Sequence, residues 1–263
     1  MRFNEEQLRV LENLAVAYDN WMAAERELLP LNYRLQWKSV SGRDYLYRIR
    51  DREGNGNSLG PRSAKTEKMH AEFMATKQPL ADRASASLRQ LRAMAPVYRA
   101  LRLPLLTTAA GEVIREADRR GLLGASLLVI GTTTMAAYEL EAQTRFATGL
   151  DSTQDCDFTW AGEPKATLAL SGESGERLLD MLKAVDASYT VNLERPFQAR
   201  NRDAFEVEIL MAPSLARNYP AAESIRPLQS EEQEWLLQGQ TVSQVVFDRS
   251  GLPARIVAPD PRW

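Results

Sequence analysis

One cysteine and one histidine are present among 263 residues. A lone Cys156 cannot form an internal disulfide, which fits a reducing cytoplasm. Zinc sites of the usual Cys/His kind cannot be assembled from this pair. A catalytic triad would have to use His70, which sits in the charged stretch Lys65 to Glu72 and reads as a solvated helix residue. No apolar run approaches the ~20 residues of a membrane span. The start, Met1-Arg2-Phe3-Asn4-Glu5-Glu6, lacks the apolar core of a secretory signal. Together these absences predict a cytoplasmic protein without a membrane partner, whose chemistry rests on carboxylates, Lys, Arg and hydroxyls. Hard oxygen ligands of that kind favour magnesium or manganese.

An apolar fraction of 44% is ample for a packed core. The net charge of −2 hides an asymmetry. Residues 1–120 carry 21 Lys and Arg against 15 Asp and Glu, whereas residues 121–263 carry 12 against 20. A basic half beside an acidic one fits a polyanion-binding surface next to a metal-binding surface. A chance split between two solvated surfaces explains the same numbers.

Leu8, Leu11, Leu14, Ala15, Tyr18, Trp21 and Met22 recur at helical spacing and predict a helix over 3–28, ended by Pro30. Alternation in 35–40 and 44–49 about Ser41-Gly42 predicts a β-hairpin. The Gly- and Asn-rich run 54–61 reads as a loop, and not a P-loop, since no Gly-Lys-Ser/Thr follows. Helices are expected at 64–77, 80–102 and 108–120, with Pro96 kinking or dividing the second. A buried strand at 122–130, a helix at 132–145, a strand at 155–159 and a helix at 175–185 come next. Strands at 188–191 and 204–211, a short helix around 230–238 and a hairpin of 242–247 with 254–257 complete the reading. This is an α+β chain. We expect a helical, basic N-terminal region to about residue 120, with the hairpin near 35–50, followed by a domain of mixed sheet flanked by helices over 121–263.

Carboxylates carry the chemical signal. In Asp155-Cys156-Asp157-Phe158 the two acids share one face of a strand, and the residues between them face a core. Two carboxylates so close repel unless a cation lies between them. Phe205-Glu206-Val207-Glu208-Ile209 repeats the pattern, so adjacent strands would gather three or four acids in one cleft. Clustered acids of this sort can hold the two metal ions of phosphoryl chemistry. Glu206 reads as a neighbouring acid, although its role could swap with that of Glu208. Cys156 falls on the opposite strand face, where packing is the expected use. Upstream, Gly131-Thr132-Thr133 forms a strand-to-helix turn, which presents N–H groups to phosphate. Five arginines and no acid occupy 83–102, and Arg89, Arg92, Arg99 and Arg102 fall on one side of an ideal helix. Together with Arg62 and Lys65 they are candidate polyanion contacts; a solvated helix face is the more common explanation. Trp37, Tyr45 and Tyr47 could stack on bases or pack the hairpin.

Gly131-Thr132-Thr133, Ala137-Tyr138-Glu139 and Thr153-Gln154-Asp155-Cys156-Asp157-Phe158 resemble the active-site segment of the DNA polymerase β-like nucleotidyltransferase superfamily. Trp37, Gly42, Asp44-Tyr45-Leu46-Tyr47 and Ser58-Leu59-Gly60-Pro61-Arg62-Ser63 resemble a bacterial branch of it, in which a similar N-terminal region precedes the catalytic fold. The resemblance implies a metal-dependent enzyme that binds an NTP such as ATP and moves its NMP to an acceptor hydroxyl. Asp155 and Asp157 would be metal ligands, Glu208 the third acid where relatives carry Asp, and Gly131, Thr132 and Thr133 the triphosphate contacts. The acceptor would be RNA (tRNA foremost, given the basic half), a protein side chain or a small molecule. Relatives continue past the position of Trp263 into a His-Lys motif and further helices, so a shortened catalytic domain is expected. The alternative reading is an inactive nucleotidyltransferase fold serving as a nucleic-acid-binding scaffold. Oligomeric state is left open.

Overall fold

The computed structural model describes residues 2–50, 54–146, 155–162 and 178–262. Thr153, Gln154 and the first turn of the helix expected at 175–185 lie outside them. The chain divides into two compact units, Met1–Tyr18 with Gln90–Trp263, and Asp19–Arg89. Helix α1 (Glu5–Leu28) and helix α2 (Ala64–Ala100) each contribute residues to both.

In the unit Asp19–Arg89 an antiparallel sheet runs β1 (Arg34–Val40), β2 (Arg43–Ile49), β3 (Gly56–Pro61). The first turn is the expected one: Ser41 and Gly42 both take positive φ, the backbone of a tight primed hairpin. The third strand corrects the loop expected at 54–61. Its glycines, which read as loop, are what admit the edge strand, because a Cβ on Gly56 would lie 2.2 Å from the Arg48 carbonyl oxygen. Just before β1, Tyr33 stacks on Phe73 of α2 at 4.6 Å.

Helix α2 is a second correction. It is continuous through both Pro79 and Pro96, where two helices were expected with Pro96 kinking or dividing the second; the helix is not divided there. A proline inside a helix costs about 3 kcal/mol. Burial of Phe73, Ala84, Leu91, Ala95 and Tyr98 along the helix offsets that cost. Its start is fixed by a reciprocal cap, in which the Ser63 N–H donates to Thr66 Oγ1 and the Thr66 N–H donates to Ser63 Oγ.

In the larger unit the strand order is β4 (Leu127–Ile130), β5 (Asp155–Trp160), β8 (Glu206–Met211), β7 (Gln198–Arg200), β6 (Thr190–Val191), with β9 (Leu228–Gln229) also pairing β8. β5 and β8 are parallel; β4–β5, β8–β7 and β7–β6 are antiparallel. One sheet face buries Cys156, Phe158, Val207 and Ile209. β4 is shorter than the strand expected at 122–130, because Leu122 closes a turn by accepting from Ser126 and Leu127 N–H groups. The helix expected at 132–145 is a 3₁₀ turn, Gly131–Thr134, followed by α4 (Met135–Glu141). Helix α5 (Leu178–Val185) buries Leu178, Met181 and Leu182. The short helix near 230–238 is confined to Gln233–Leu236. β10 (Val242–Phe247) and β11 (Pro253–Ala258) form the expected hairpin, with α3 (Thr108–Arg119) packed on β11 and α4 on β10. β7 and β9 were not foreseen. Among the described residues no helix is long and apolar enough to cross a membrane.

Candidate functional site

Alternation along two parallel strands builds the site. β5 and β8 pair in the register Asp155 with Glu206 and Asp157 with Glu208. Paired residues point to the same face at a strand spacing of about 4.8 Å. All four carboxylates therefore line one face of the sheet, half-buried, above the apolar residues of the other face. Glu208 thus lies one strand across from Asp157.

Asp157 is hemmed in further by β4, whose last residue, Ile130, is its register partner. Gly131 follows in the left-handed region at φ +69, and a Cβ there would lie 2.6 Å from Asp157 Oδ2. Glycine is required on both counts. The turn is closed by Thr134 Oγ1 donating to the Gly131 carbonyl at 2.7 Å; Thr133 is buried and Thr132 half-buried. The turn at Gly131 therefore runs directly beside Asp157, with no room for a side chain between them.

The surroundings of Asp157 disfavour its charge. Burial first, then the charges of Asp155 and Glu208, push its carboxyl up to about 7. Its Oδ1 is buried without a hydrogen-bond partner among the described residues. A carboxylate so placed lacks a donor or a cation.

Sequence reasoning missed the residue that manages the two glutamates. Gln198, on β7 and buried, donates from Nε2 to Glu206 Oε2 and to Glu208 Oε1, each at 2.9 Å. Arg200, on the same strand, places Nε 3.7 Å from Glu206 Oε1. A three-residue strand gives no periodicity to find, so neither residue could be placed from the sequence. Among the described residues no three Asp, Glu, His or Cys side chains form a group that could hold a metal ion.

Cys156 is fully buried, and burial together with Asp157 and Asp155 pushes its thiol well up, as packing and not reactivity requires. His70 is half-buried on α2 with its ring 6.0 Å from that of Trp37. Of the candidate polyanion contacts, Arg62 is exposed but engaged: it donates to Glu67 at 2.8 Å, lies 3.5 Å from Asp44 and sits over the Trp37 ring. Arg99 donates to the Arg249 carbonyl at 2.6 Å. Lys65, Arg89, Arg92 and Arg102 are exposed. Tyr45 and Tyr47 are half-buried in β2, Tyr47 beneath the Lys38 ammonium at 5.1 Å.

A family model described as Nucleotidyltransferase matches residues 108–263. The chain belongs to the nucleotidyltransferase family. No curated protein and no solved structure matches it. The nucleotidyltransferase match begins at α3 and takes in the turn at Gly131, both acid-bearing strands and Gln198. Membership supports nucleotidyl transfer as the general activity of this fold.

Proposed function

We propose that the chain is an active, metal-dependent nucleotidyltransferase that moves a nucleoside monophosphate from an NTP to an acceptor hydroxyl. The observation that carries this reading is Asp157: it lies where a side chain on Gly131 would collide with it, sits in register with Glu208 and leaves Oδ1 buried without a donor among the described residues. That oxygen, orphaned among the described residues and set among carboxylates, fits a divalent cation. Asp155, Asp157 and Glu208 would hold Mg²⁺ or Mn²⁺, which when bound would supply Lewis-acid stabilisation of charge on the triphosphate. The turn at Gly131, Thr132 and Thr133 would hold the β- and γ-phosphates, because Gly131 brings backbone to within contact of Asp157 with no side chain between. In the reaction the acceptor oxygen bonds to the α-phosphorus, the α–β phosphoanhydride bond breaks, pyrophosphate departs and the hydroxyl proton passes to solvent. The acceptor is RNA, tRNA foremost: the unit Asp19–Arg89 holds thirteen Lys and Arg against nine Asp and Glu.

Engagement of both glutamates by Gln198 favours a second reading, an inactive fold that binds nucleic acid as a scaffold. Calorimetry with ATP and Mg²⁺ on wild type and on the Asp155→Ala/Asp157→Ala double variant tests the metal site, and equal binding by both proteins sinks it. Transfer of labelled nucleotide from each of the four NTPs into a total RNA pool or a lysate separates enzyme from scaffold. Labelled product lost in the double variant is expected; none with any NTP favours the scaffold.

A further inference from the structure

Four acids share the sheet face, and their surroundings sort them. Glu206 has both oxygens engaged, Oε2 by Gln198 and Oε1 by Arg200. Glu208 has only Oε1 engaged, by Gln198, and no hydrogen bond to its Oε2 is present among the described residues. The difference originates outside the acids, in an amide relay. Asn192 Oδ1 accepts from the backbone N–H groups of Glu194 at 3.0 Å and Arg195 at 3.3 Å, which fixes which end of that amide is oxygen. Its Nδ2 then donates to Gln198 Oε1 at 2.7 Å. With its oxygen committed to Asn192, Gln198 must turn its NH₂ toward the acids, and both hydrogens are used there. A backbone bond from the Asn192 N–H to the Gln198 carbonyl, at 2.9 Å, ties the two residues together a second time.

From this we infer that Gln198 is a positioning residue, oriented by Asn192, that selects Glu208 and not Glu206 as the third acid of the site. It restrains one oxygen of Glu208 so that the other is presented, and it keeps Glu206 paired with Arg200. A neutral double donor suits the task. It tempers the repulsion between two glutamates without adding a positive charge that would compete with a cation. A lysine or arginine there would neutralise the site; an apolar residue would leave Glu208 without its donor and Glu206 with Arg200 alone.

The inference rests on the proposed metal site, and its test reads binding of Mn²⁺ alone to the full chain by electron paramagnetic resonance. Gln198→Met keeps the volume of the buried side chain and removes the donor. It should weaken Mn²⁺ about tenfold or more, in the range seen when outer partners of metal ligands are lost. Asn192→Ala, which frees the Gln198 amide to rotate, should produce a smaller loss in the same direction. Glu206→Gln should change affinity less than Glu208→Gln. The decisive comparison is a double-mutant cycle: Gln198→Met added to Glu208→Gln should cause no further loss, because the amide acts through that carboxylate. An equal loss in both backgrounds assigns Gln198 a merely structural role and overturns the inference. If Glu208→Gln binds Mn²⁺ as wild type does, the assignment of Glu208 fails instead. Should Gln198→Met not fold, as circular dichroism would reveal, the cycle is run with Asn192→Ala, with the same two outcomes.

Discussion

Two groups of acids in the larger unit, both at least half-buried, are treated in opposite ways. Around α3 and the β10–β11 hairpin, each acid has a cationic partner. Asp248, fully buried, faces Arg115 at 3.2 Å and accepts at Oδ1 from Ser250 N–H and hydroxyl and from the Leu252 N–H. Asp118 accepts from the Tyr18 hydroxyl at 2.8 Å and lies 3.7 Å from Arg255. Burial works against the charge of Glu116, yet bonds from Arg119 and Arg120 hold its carboxyl below the usual range. On the face of β5 and β8, by contrast, Glu206 and Glu208 share a neutral glutamine, Glu206 lies 3.7 Å from an exposed arginine, and Asp157 Oδ1 has no hydrogen-bond partner among the described residues. Satisfied charge holds a fold together. An acid left without a donor is what the proposed metal site would use.

The largest effect should come from deleting the two aspartates of β5. Asp155→Ala or Asp157→Ala should lower nucleotidyl transfer about a thousandfold or more, about 4 kcal/mol of transition-state stabilisation, without lowering thermal stability. Labelled-nucleotide transfer and melting curves on the same samples check this. Loss of activity together with loss of the fold would show that these acids are structural after all, and the contrast would collapse.

Breaking a satisfied pair should do the reverse. Arg115→Met leaves Asp248 buried without its cation and should destabilise the protein by about 3–5 kcal/mol, the range for removing one partner of a buried ion pair. Urea denaturation reads it. A shift no larger than that of an exposed substitution would mean that the Asp248 bonds to Ser250 and Leu252 alone suffice.

The strand faces that carry this contrast were legible because alternation is local: Asp155 with Asp157, and Glu206 with Glu208, follow from a period of two. Their register was not, since a parallel pairing of β5 with β8 is set by packing some fifty residues apart in sequence. Gln198 and Asn192 were invisible for a related reason, because a glutamine in a three-residue strand carries no pattern and gains its meaning from the neighbours it meets. Glycine in β3 and proline in α2 misled in opposite directions. Both residues speak of local backbone freedom, and in each case tertiary contact decided otherwise.

A smaller effect follows from the proton on Asp157. Its folded carboxyl titrates at about 7, whereas an unfolded Asp titrates near 3.9. Between those values the folded state holds more protons, so this group contributes stability that is full below about pH 4 and is lost as pH rises through about 7. Asp157→Asn has no proton to lose. In metal-free protein it should match wild type near pH 4 and exceed it by about 1–2 kcal/mol above pH 7, a gain typical of relieved active-site strain. Denaturation midpoints across that range give the profile. Adding Mg²⁺ should reverse the order at high pH, because only the aspartate gains a ligand. A flat difference across pH would remove the electrostatic reading of this site.

The smallest effects lie in the unit Asp19–Arg89, where exposed cations differ in how fully they are engaged. Arg62 is bonded to Glu67, close to Asp44 and over Trp37, whereas Lys65 is exposed at the start of α2 with no ion pair among the described residues. Exposed pairs contribute little to stability, so Arg62→Ala should leave the unfolding midpoint unmoved. For RNA binding the same difference predicts unequal roles. Releasing counterions requires a cation that phosphate can reach without first displacing two carboxylates. Lys65→Ala should therefore reduce the slope of log affinity against log salt by about one, and Arg62→Ala should leave it unchanged. Anisotropy titrations with a single-stranded RNA at several salt concentrations measure both slopes, and equal slopes for the two variants would remove Lys65 from the RNA surface.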